Sequence, residues 1–378
     1  MQNARKKVLL FIPYFESGGA ERFVVNVCEG IDRTCFDPVI VCIRSQSSIY
    51  DKALEEMGVE KVSLVDGECG GLVSRYAAGY KAFASYLKRR QNQFCAAHFN
   101  IAHGGDLAFV WLSEQAGIPI RIVHSHNSSV GSPMKHLVHV AGKKLFGGSA
   151  TTRCACSDLA ASWLFPSEVI ESGDYRIIKN GINVGAFGFN EVSRFSVRKK
   201  FGLEGKKVFL NVGRLNYQKN QLFLLEAFKA VRAQNDDVVL AIVGSGELEY
   251  DLRDRAASLE LDNDVIWLGN RDDVASLMSA ADVFTLTSRY EGLPFTLVEA
   301  QAAGLPCVVS DKVSAECMLT DLVRRVPLEV GTFSEALERA LRFESHDRLS
   351  YAKYIEKCGY GLDSSIRQLE EMYQEGSQ

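Results

Sequence analysis

From Ser288 to Ala300 the chain reads Ser-Arg-Tyr-Glu-Gly-Leu-Pro-Phe-Thr-Leu-Val-Glu-Ala, with seven residues between Glu291 and Glu299. The run follows an apolar strand candidate, Val283 to Thr287. Its Gly-Leu-Pro turn opens a helix near Pro294 that contains Glu299, and Glu291 stands in the turn ahead of it. A helix start leaves amides unpaired and carries partial positive charge, so the amides near Gly292 and Leu293 suit a phosphate. Carboxylates on either side of it can then accept from hydroxyls, one on a sugar and the other on a ribose. Seven residues between two glutamates is common by chance; joined to a strand end, a turn and a helix start, it is not.

A second set of groups fits the same chemistry. Strand Val208 to Val212 ends in Gly213-Arg214-Leu215, and a short loop brings Gln218-Lys219-Asn220 to the start of the next helix. A guanidinium fork at Arg214 and an ammonium at Lys219 can converge on one diphosphate and neutralise it as it leaves. The plainer alternative is two solvated cations. Gly244-Ser-Gly246 follows a third strand as a close-approach turn, but it lacks the third glycine of a dinucleotide fingerprint, which argues against a nicotinamide-dependent dehydrogenase. Near the N-terminus, strand Lys7 to Tyr14 runs into Glu16-Ser-Gly-Gly-Ala-Glu-Arg. Gly18 and Gly19 allow a tight turn whose amides could hold an anion at a helix start, although an ordinary strand-to-helix turn uses glycine too. Strand Ile120 to Ser125 leads into His124-Ser-His-Asn127. Alternation sets His124 and His126 on one face at the strand's carboxyl end, and a zinc site would need a third ligand that no spacing supplies.

These groups need a scaffold that gathers strand ends. Short apolar runs alternate with amphipathic segments along the chain, the pattern of parallel strands joined by crossover helices. The first half offers strands at Lys7–Tyr14, Pro38–Ile43, Lys61–Val65, Phe94–Phe99, Ile120–Ser125, Thr152–Cys156 and Tyr175–Ile178. After Asn180-Gly181-Ile182 the pattern restarts, with strands at Val208–Val212, Val238–Val243, Val265–Leu268, Val283–Thr287 and Cys307–Ser310. Two doubly wound α/β sheets follow, with ligands expected at the carboxyl ends of the strands and in a cleft between the domains. The expected division is 1–185, 186–358 and a C-terminal helix over 359–378 that packs back across the domains. A polar linker is expected at Gly185–Asn190, followed by a solvated helix at Ser193–Phe201 carrying Arg194, Arg198, Lys199 and Lys200.

Composition excludes other classes. The 378 residues are 47% apolar and 24% charged with a net charge of −4, enough for two cored domains. Residues 1–180 hold twenty Lys/Arg and seventeen Asp/Glu, leaving twenty-three and thirty for the remainder. That balance gives no case for nucleic acid and would suit a first half that approaches an anionic lipid surface. No apolar run approaches the twenty or so residues of a membrane span. The basic start at Arg5, Lys6 and Lys7 lacks the features of a signal peptide, so a cytosolic protein is expected. The ten cysteines show no metal-ligand spacing and read as thiols in a reducing compartment.

Taken together, the GGAER turn, HSHN, Cys156-Ser157, IIKNGI, GRLNYQKN, IVGSG, LGNRDD and EGLPFTLVEA resemble the family 4 retaining glycosyltransferases of the GT-B fold, especially those of exopolysaccharide and capsule synthesis. The resemblance spans nearly the whole chain. It implies Gly18 and Gly19 as loop contacts to donor and acceptor, Arg214 and Lys219 as the diphosphate clamp, and Glu299 on the ribose. It places Glu291, with the amides of Gly292 and Leu293, on the sugar and phosphate, and adds Gly244, Gly246, Asn270 and Arg271 to the donor site. His126 matches the family's active-site histidine, while Glu21, His124 and Asn127 fall on the acceptor side. The donor implied is a nucleotide sugar, most commonly uridine-based. The acceptor implied is a glycan or lipid-linked saccharide, with peripheral contact at the inner membrane. No metal or other cofactor is expected, since no DxD cluster faces the diphosphate; Asp272-Asp273 reads as a helix start. Rival readings are a nucleotide-sugar 2-epimerase of the same fold and a non-catalytic sugar-nucleotide binding subunit.

Overall fold

The computed structural model describes residues 5–16, 18–45, 48–65, 72–126, 133–291, 293–343 and 347–375. It divides into two compact units. Unit 1 is residues 1–181 with 362–378, and unit 2 is residues 182–361, against the 185 and 358 expected from sequence.

Unit 1 is built on seven parallel strands: β1 (Lys6–Phe15), β2 (Phe36–Ser45), β3 (Glu60–Ser63), β4 (Phe94–Ile101), β5 (Ile120–Ser125), β6 (Thr152–Ala155) and β7 (Arg176–Ile177). They run in the order β3-β2-β1-β4-β5-β6-β7. Val8 to Ile12 are all buried, as a strand covered by helices on both faces must be. Phe11 anchors one face, with Phe83, Phe99 and Phe109 at ring-centroid distances of 5.2, 5.5 and 4.5 Å. The helix Leu362–Gln374 belongs to this unit. It buries Ile366, Leu369, Met372 and Tyr373 at helical spacing, and Arg176 pairs with its Glu375 end at 3.0 Å.

Unit 2 carries β8 (Lys207–Val212), β9 (Val238–Val243), β10 (Val265–Gly269), β11 (Val283–Leu286), β12 (Cys307–Ser310) and β13 (Val323–Val326), in the order β10-β9-β8-β11-β12-β13. All observed pairings are parallel. β13 was not expected: Val-Arg-Arg-Val is short and half polar, and it pairs only with β12 at the sheet's edge, where arginine is tolerated.

Two expectations near the boundary change. Within the presumed linker Gly185–Asn190, Val184–Phe187 forms a helical turn. Asn190 caps the next helix, Glu191–Lys200, by accepting from the Ser193 amide. Nor are Arg194 and Arg198 merely solvated. Both pair with Asp282, at 2.6 and 3.2 Å, and the same carboxylate accepts from the Val208 amide at 2.8 Å. The two arginines thereby bind the helix to the start of β8.

Strand order reverses direction at β1/β4 in unit 1 and at β8/β11 in unit 2. In doubly wound sheets, ligands bind beside the carboxyl ends of the strands at such switch points.

Candidate functional site

In unit 2 the two loops at the β8/β11 switch point are stitched together. The Arg289 amide donates to Gln218 O at 2.8 Å, Gln218 Nε2 donates to Tyr290 O at 3.1 Å, and Thr287 Oγ1 donates to the carbonyls of Lys219 and Asn220. Asn220 sits in the left-handed region at φ 55°, a conformation asparagine tolerates better than most residues, and Arg289 donates to its side chain at 2.8 Å. This stitching delivers Lys219 to Glu291: Nζ lies 2.5 Å from Oε1, with side chains only 16% and 10% exposed. Ser288 Oγ donates to the same oxygen at 3.1 Å. The lysine's stem crosses Gly213, where a Cβ would meet its Cε at 3.1 Å. Glycine there leaves the groove that the side chain fills.

Arg214, the other expected clamp cation, projects half-exposed from the next position with Nε 3.4 Å from Glu247 Oε2. Each clamp cation thus faces a carboxylate, and a bound diphosphate would compete with both. Leu293 is buried and Glu299 is 7% exposed on the helix Phe295–Ala302; Gly292 lies outside the described residues.

Gly244 and Gly246 have a reason inside the unit. A Cβ on Gly244, at φ 132°, would lie 2.1 Å from Gly213 O, and one on Gly246 would lie 2.2 Å from Leu215 O. The β8 and β9 loops run in direct backbone contact, Leu215 N donating to Ser245 O at 2.9 Å. Arg271 is clamped by Asp273, with Nε donating to Oδ1 at 2.8 Å. This bond holds the Asp273 carboxyl below its usual range. Asp273 stands at the start of the helix Val274–Ala280 without a side-chain cap bond. Asn270, beside Gly269 at φ 62°, is exposed.

In unit 1 the turn after β1 is not left bare. The helix Gly19–Gly30 starts behind Gly18, and Glu21 folds back over this turn, accepting from the Glu16 amide at 3.4 Å. A Cβ on Gly18 would meet the Glu21 carboxylate at 2.6 Å. Burial pushes this carboxyl up, while the amides of Glu21, Glu16 and Gly18 pull it down. The Glu16 and Gly18 amides of this turn thus face the chain's own carboxylate.

The histidines share a face as their alternation required, their rings 4.2 Å apart, but they differ in access. His124 is fully buried and bonds inward: its Nδ1 lies 3.3 Å from His98 Nε2, and His98 Nδ1 lies 2.7 Å from Tyr373 Oη on the C-terminal helix. His124 Nε2 is buried with no hydrogen-bond partner among the described residues. His126 is only partly buried. Its Nε2 lies 3.0 Å from Asn100 Oδ1, and Phe23 packs against its ring at 4.9 Å. Burial lowers all three imidazoles, His98 and His126 to about 3 and His124 further below its ordinary value, so the cluster is neutral at pH 7. Asn127 and residues 128–132 of the expected acceptor loop lie outside the described residues.

Sequence reasoning missed Ser288 as a partner of Glu291, Glu247, His98, Asn100 and Tyr373. His98 and Asn100 did carry a signal: they are polar residues two apart on an otherwise apolar strand, and so share a face. Apart from these groups, a cavity of about 730 Å³ in unit 1 is lined by His136, His139, Lys144 and Trp163 among others, and no residue singled out from the sequence lines it.

Residues 193–358 match the family model for glycosyl transferases group 1. The matched stretch includes both switch-point loops of unit 2. Along 99% of its length the chain is 27% identical to a Bacillus subtilis protein named glycosyltransferase EpsF, covering 97% of that relative. Over 62% of each chain it is 32% identical to an Escherichia coli UDP-Gal:alpha-D-GlcNAc-diphosphoundecaprenol alpha-1,3-galactosyltransferase. Among solved structures, Anabaena HepE in complex with UDP and glucose superposes with a TM-score of 0.79 at 19% identity, over 98% of this chain and all of that one. This likeness fixes the GT-B fold of two parallel-sheet α/β domains.

Proposed function

We propose that the chain is a metal-independent retaining glycosyltransferase that moves a hexosyl or N-acetylhexosaminyl group from a UDP-sugar to a hydroxyl of a glycan or lipid-linked saccharide in surface polysaccharide synthesis. The observation that carries the reading is the Lys219–Glu291–Ser288 constellation at the switch point of unit 2. It sets a cation, a carboxylate and a helix start side by side. Lys219 and Arg214 take up charge on the leaving diphosphate, while Glu291 accepts from sugar hydroxyls and Glu299 from the ribose. His126, at the carboxyl end of β5, is the residue we assign to the acceptor. The bond from the anomeric carbon to the diphosphate breaks, the acceptor oxygen bonds to the same face of that carbon, and its proton passes to the departing phosphate oxygen. Positioning and fixed charge account for most of the acceleration.

UDP complexes of a structural neighbour and a relative acting on a lipid diphosphate sugar support the choice of donor and acceptor class. Peripheral membrane contact is supported by the helix Pro133–Phe146. It exposes Leu137, Val138, Val140 and Leu145 beside Lys135 and Lys144, the composition of an interfacial helix. Among the described residues no helix is long and apolar enough to cross a membrane.

A thermal-shift screen of nucleotide sugars that vary base and sugar, followed by NMR of the product, tests the reading. A donor at a hundred times its Kd should add about 2.7 kcal/mol of stability. Uridine donors should rank first, and the product should keep the donor's anomeric configuration. Inversion would overturn retention, and donor turnover without acceptor would identify an epimerase instead.

A further inference from the structure

A neutral histidine presents one nitrogen as donor and the other as acceptor, and the bond made by one decides what the other offers. For His126 that bond runs to Asn100 Oδ1, at 3.0 Å from Nε2. Asn100 is 2% exposed, and its Nδ2 lies 3.4 Å from two carbonyl oxygens, Phe11 O on β1 and His98 O on β4. Turning the amide over would press Oδ1 against both carbonyls in a buried setting and leave three acceptors facing one another. The main chains of β1 and β4 therefore fix the amide, and Oδ1 faces the imidazole. Oδ1 has no hydrogen to give, so Nε2 must carry one. Burial keeps the ring neutral at pH 7, which leaves Nδ1 without a hydrogen. No described residue bonds Nδ1. The rings of Phe23 and His124, at 4.9 and 4.2 Å, hold the imidazole plane in place.

We infer that Asn100 is a positioning residue that locks His126 as its Nε2–H tautomer, so that the histidine meets a substrate hydroxyl as a hydrogen-bond acceptor through Nδ1. The substrate half of this inference rests on the proposed sugar transfer; the tautomer half rests on the geometry of unit 1 alone. A hydroxyl held in this way, other than the attacking one whose proton goes to the leaving phosphate, donates to Nδ1 and is thereby fixed in orientation. An amino or ammonium group could also donate there, whereas a carbonyl or phosphate oxygen could not pair with this face.

The full chain with 15N-labelled histidine tests both halves by NMR, using a His126→Gln spectrum to assign the resonances. At pH 7 His126 should show one protonated nitrogen and one bare nitrogen far downfield of it. The protonated one should be Nε2, identified by its coupling to both ring carbon-bound protons. A proton on Nδ1, or on both nitrogens, overturns the lock, and this measurement needs no substitution at Asn100. In Asn100→Ala the single tautomer should give way to a mixture, and kcat should fall about tenfold, the equivalent of one hydrogen bond in the transition state, with the Kd for UDP unchanged. An Asn100→Ala enzyme that has lost the tautomer yet retains full kcat overturns the positioning role. A wild type that transfers no sugar defeats the proposed function while the tautomer measurement stands independently.

Discussion

Replacing Glu291 by Gln probes the pair at the centre of unit 2. Lys219 Nζ and Glu291 Oε1 lie 2.5 Å apart and largely out of solvent. With an effective dielectric constant of about 20, two unit charges at that separation attract by roughly 6 to 7 kcal/mol before desolvation is subtracted. Removing one partner of a buried pair costs about 3 to 5 kcal/mol. The two single substitutions are not equivalent. Lys219→Met strands the carboxylate with the Ser288 hydroxyl as its remaining described partner and should incur that full cost. Gln at 291 still offers an oxygen to both Lys219 and Ser288, so its cost should be the smaller one of a charge-assisted bond, about 1.5 to 3 kcal/mol. Affinity for nucleoside diphosphate should separate them further. In Glu291→Gln the ammonium no longer shares its charge and a neighbouring negative charge is gone, so UDP should bind about tenfold more tightly, or ~1.4 kcal/mol. In Lys219→Met it should bind about 1.5 to 3 kcal/mol more weakly. Turnover should fall in both, because the proposed mechanism has Glu291 act on the sugar as the bond breaks. Denaturant unfolding of the four-member cycle gives the coupling, and calorimetry with UDP gives the affinities. A coupling below about 0.5 kcal/mol, or weaker UDP binding by Glu291→Gln than by wild type, would refute the reasoning.

Glu299→Ala should weaken donor and free UDP alike, because ribose binding is shared by ground and transition states; a loss confined to kcat would remove Glu299 from the ribose. EDTA should leave turnover intact if, as proposed, Lys219 and Arg214 do the work that a divalent ion does in other transferases; activity restored by magnesium or manganese would contradict the clamp. Gly246→Ala should destabilise unit 2 by about 1 to 3 kcal/mol in denaturant unfolding, because the new methyl would sit 2.2 Å from Leu215 O. His98 should make stability acid-sensitive. Its folded value is lowered to about 3 by burial from about 6.5 when unfolded, so the unfolded chain takes up the proton first as pH falls, and stability is lost between pH 6.5 and 3. The wild type's stability advantage over His98→Gln should shrink by about 2 kcal/mol between pH 7.5 and 5. Comparison against the variant isolates His98 from Asp106, whose carboxyl is raised to about 7 and acts in the opposite sense.

The two doubly wound sheets were legible because their strands rest on local signals. Apolar runs such as Val8–Ile12 and Val238–Val243 read as buried parallel strands, and doubly wound sheets direct function to the carboxyl ends where Lys219, Glu291 and His126 stand. Partnerships were less legible. His98 and Tyr373 are 275 residues apart, and Lys219 and Glu291 are 72 apart; no periodicity spans such distances. β13 escaped notice because an edge strand need not be apolar, and Arg194 and Arg198 because a charged helix face reads the same whether it meets water or Asp282.

The residue types that pointed to ligand binding turn out to be engaged by the chain itself. Gly244 and Gly246 make way for the backbone of Gly213 and Leu215. Glu21 occupies the turn that was expected to offer bare amides to an anion. Lys219 and Arg214 each hold a carboxylate. A ligand-ready group that is partly buried must be satisfied in the free protein as well as in the complex, for an uncompensated buried charge costs several kcal/mol. Internal partners are therefore expected wherever the free protein is stable, and their strength sets how much of a ligand's contact energy survives as affinity. The two cations differ in this respect. The Lys219 pair is short and shielded, whereas the Arg214 pair is longer and half exposed, where such pairs contribute at most about 1 kcal/mol. A diphosphate can take Arg214 at little cost but must displace a strong partner to take Lys219. Glu291 can yield that ammonium most readily when sugar hydroxyls arrive to replace it, which would make a complete nucleotide sugar, rather than the nucleotide alone, the ligand that draws Lys219 onto the phosphates.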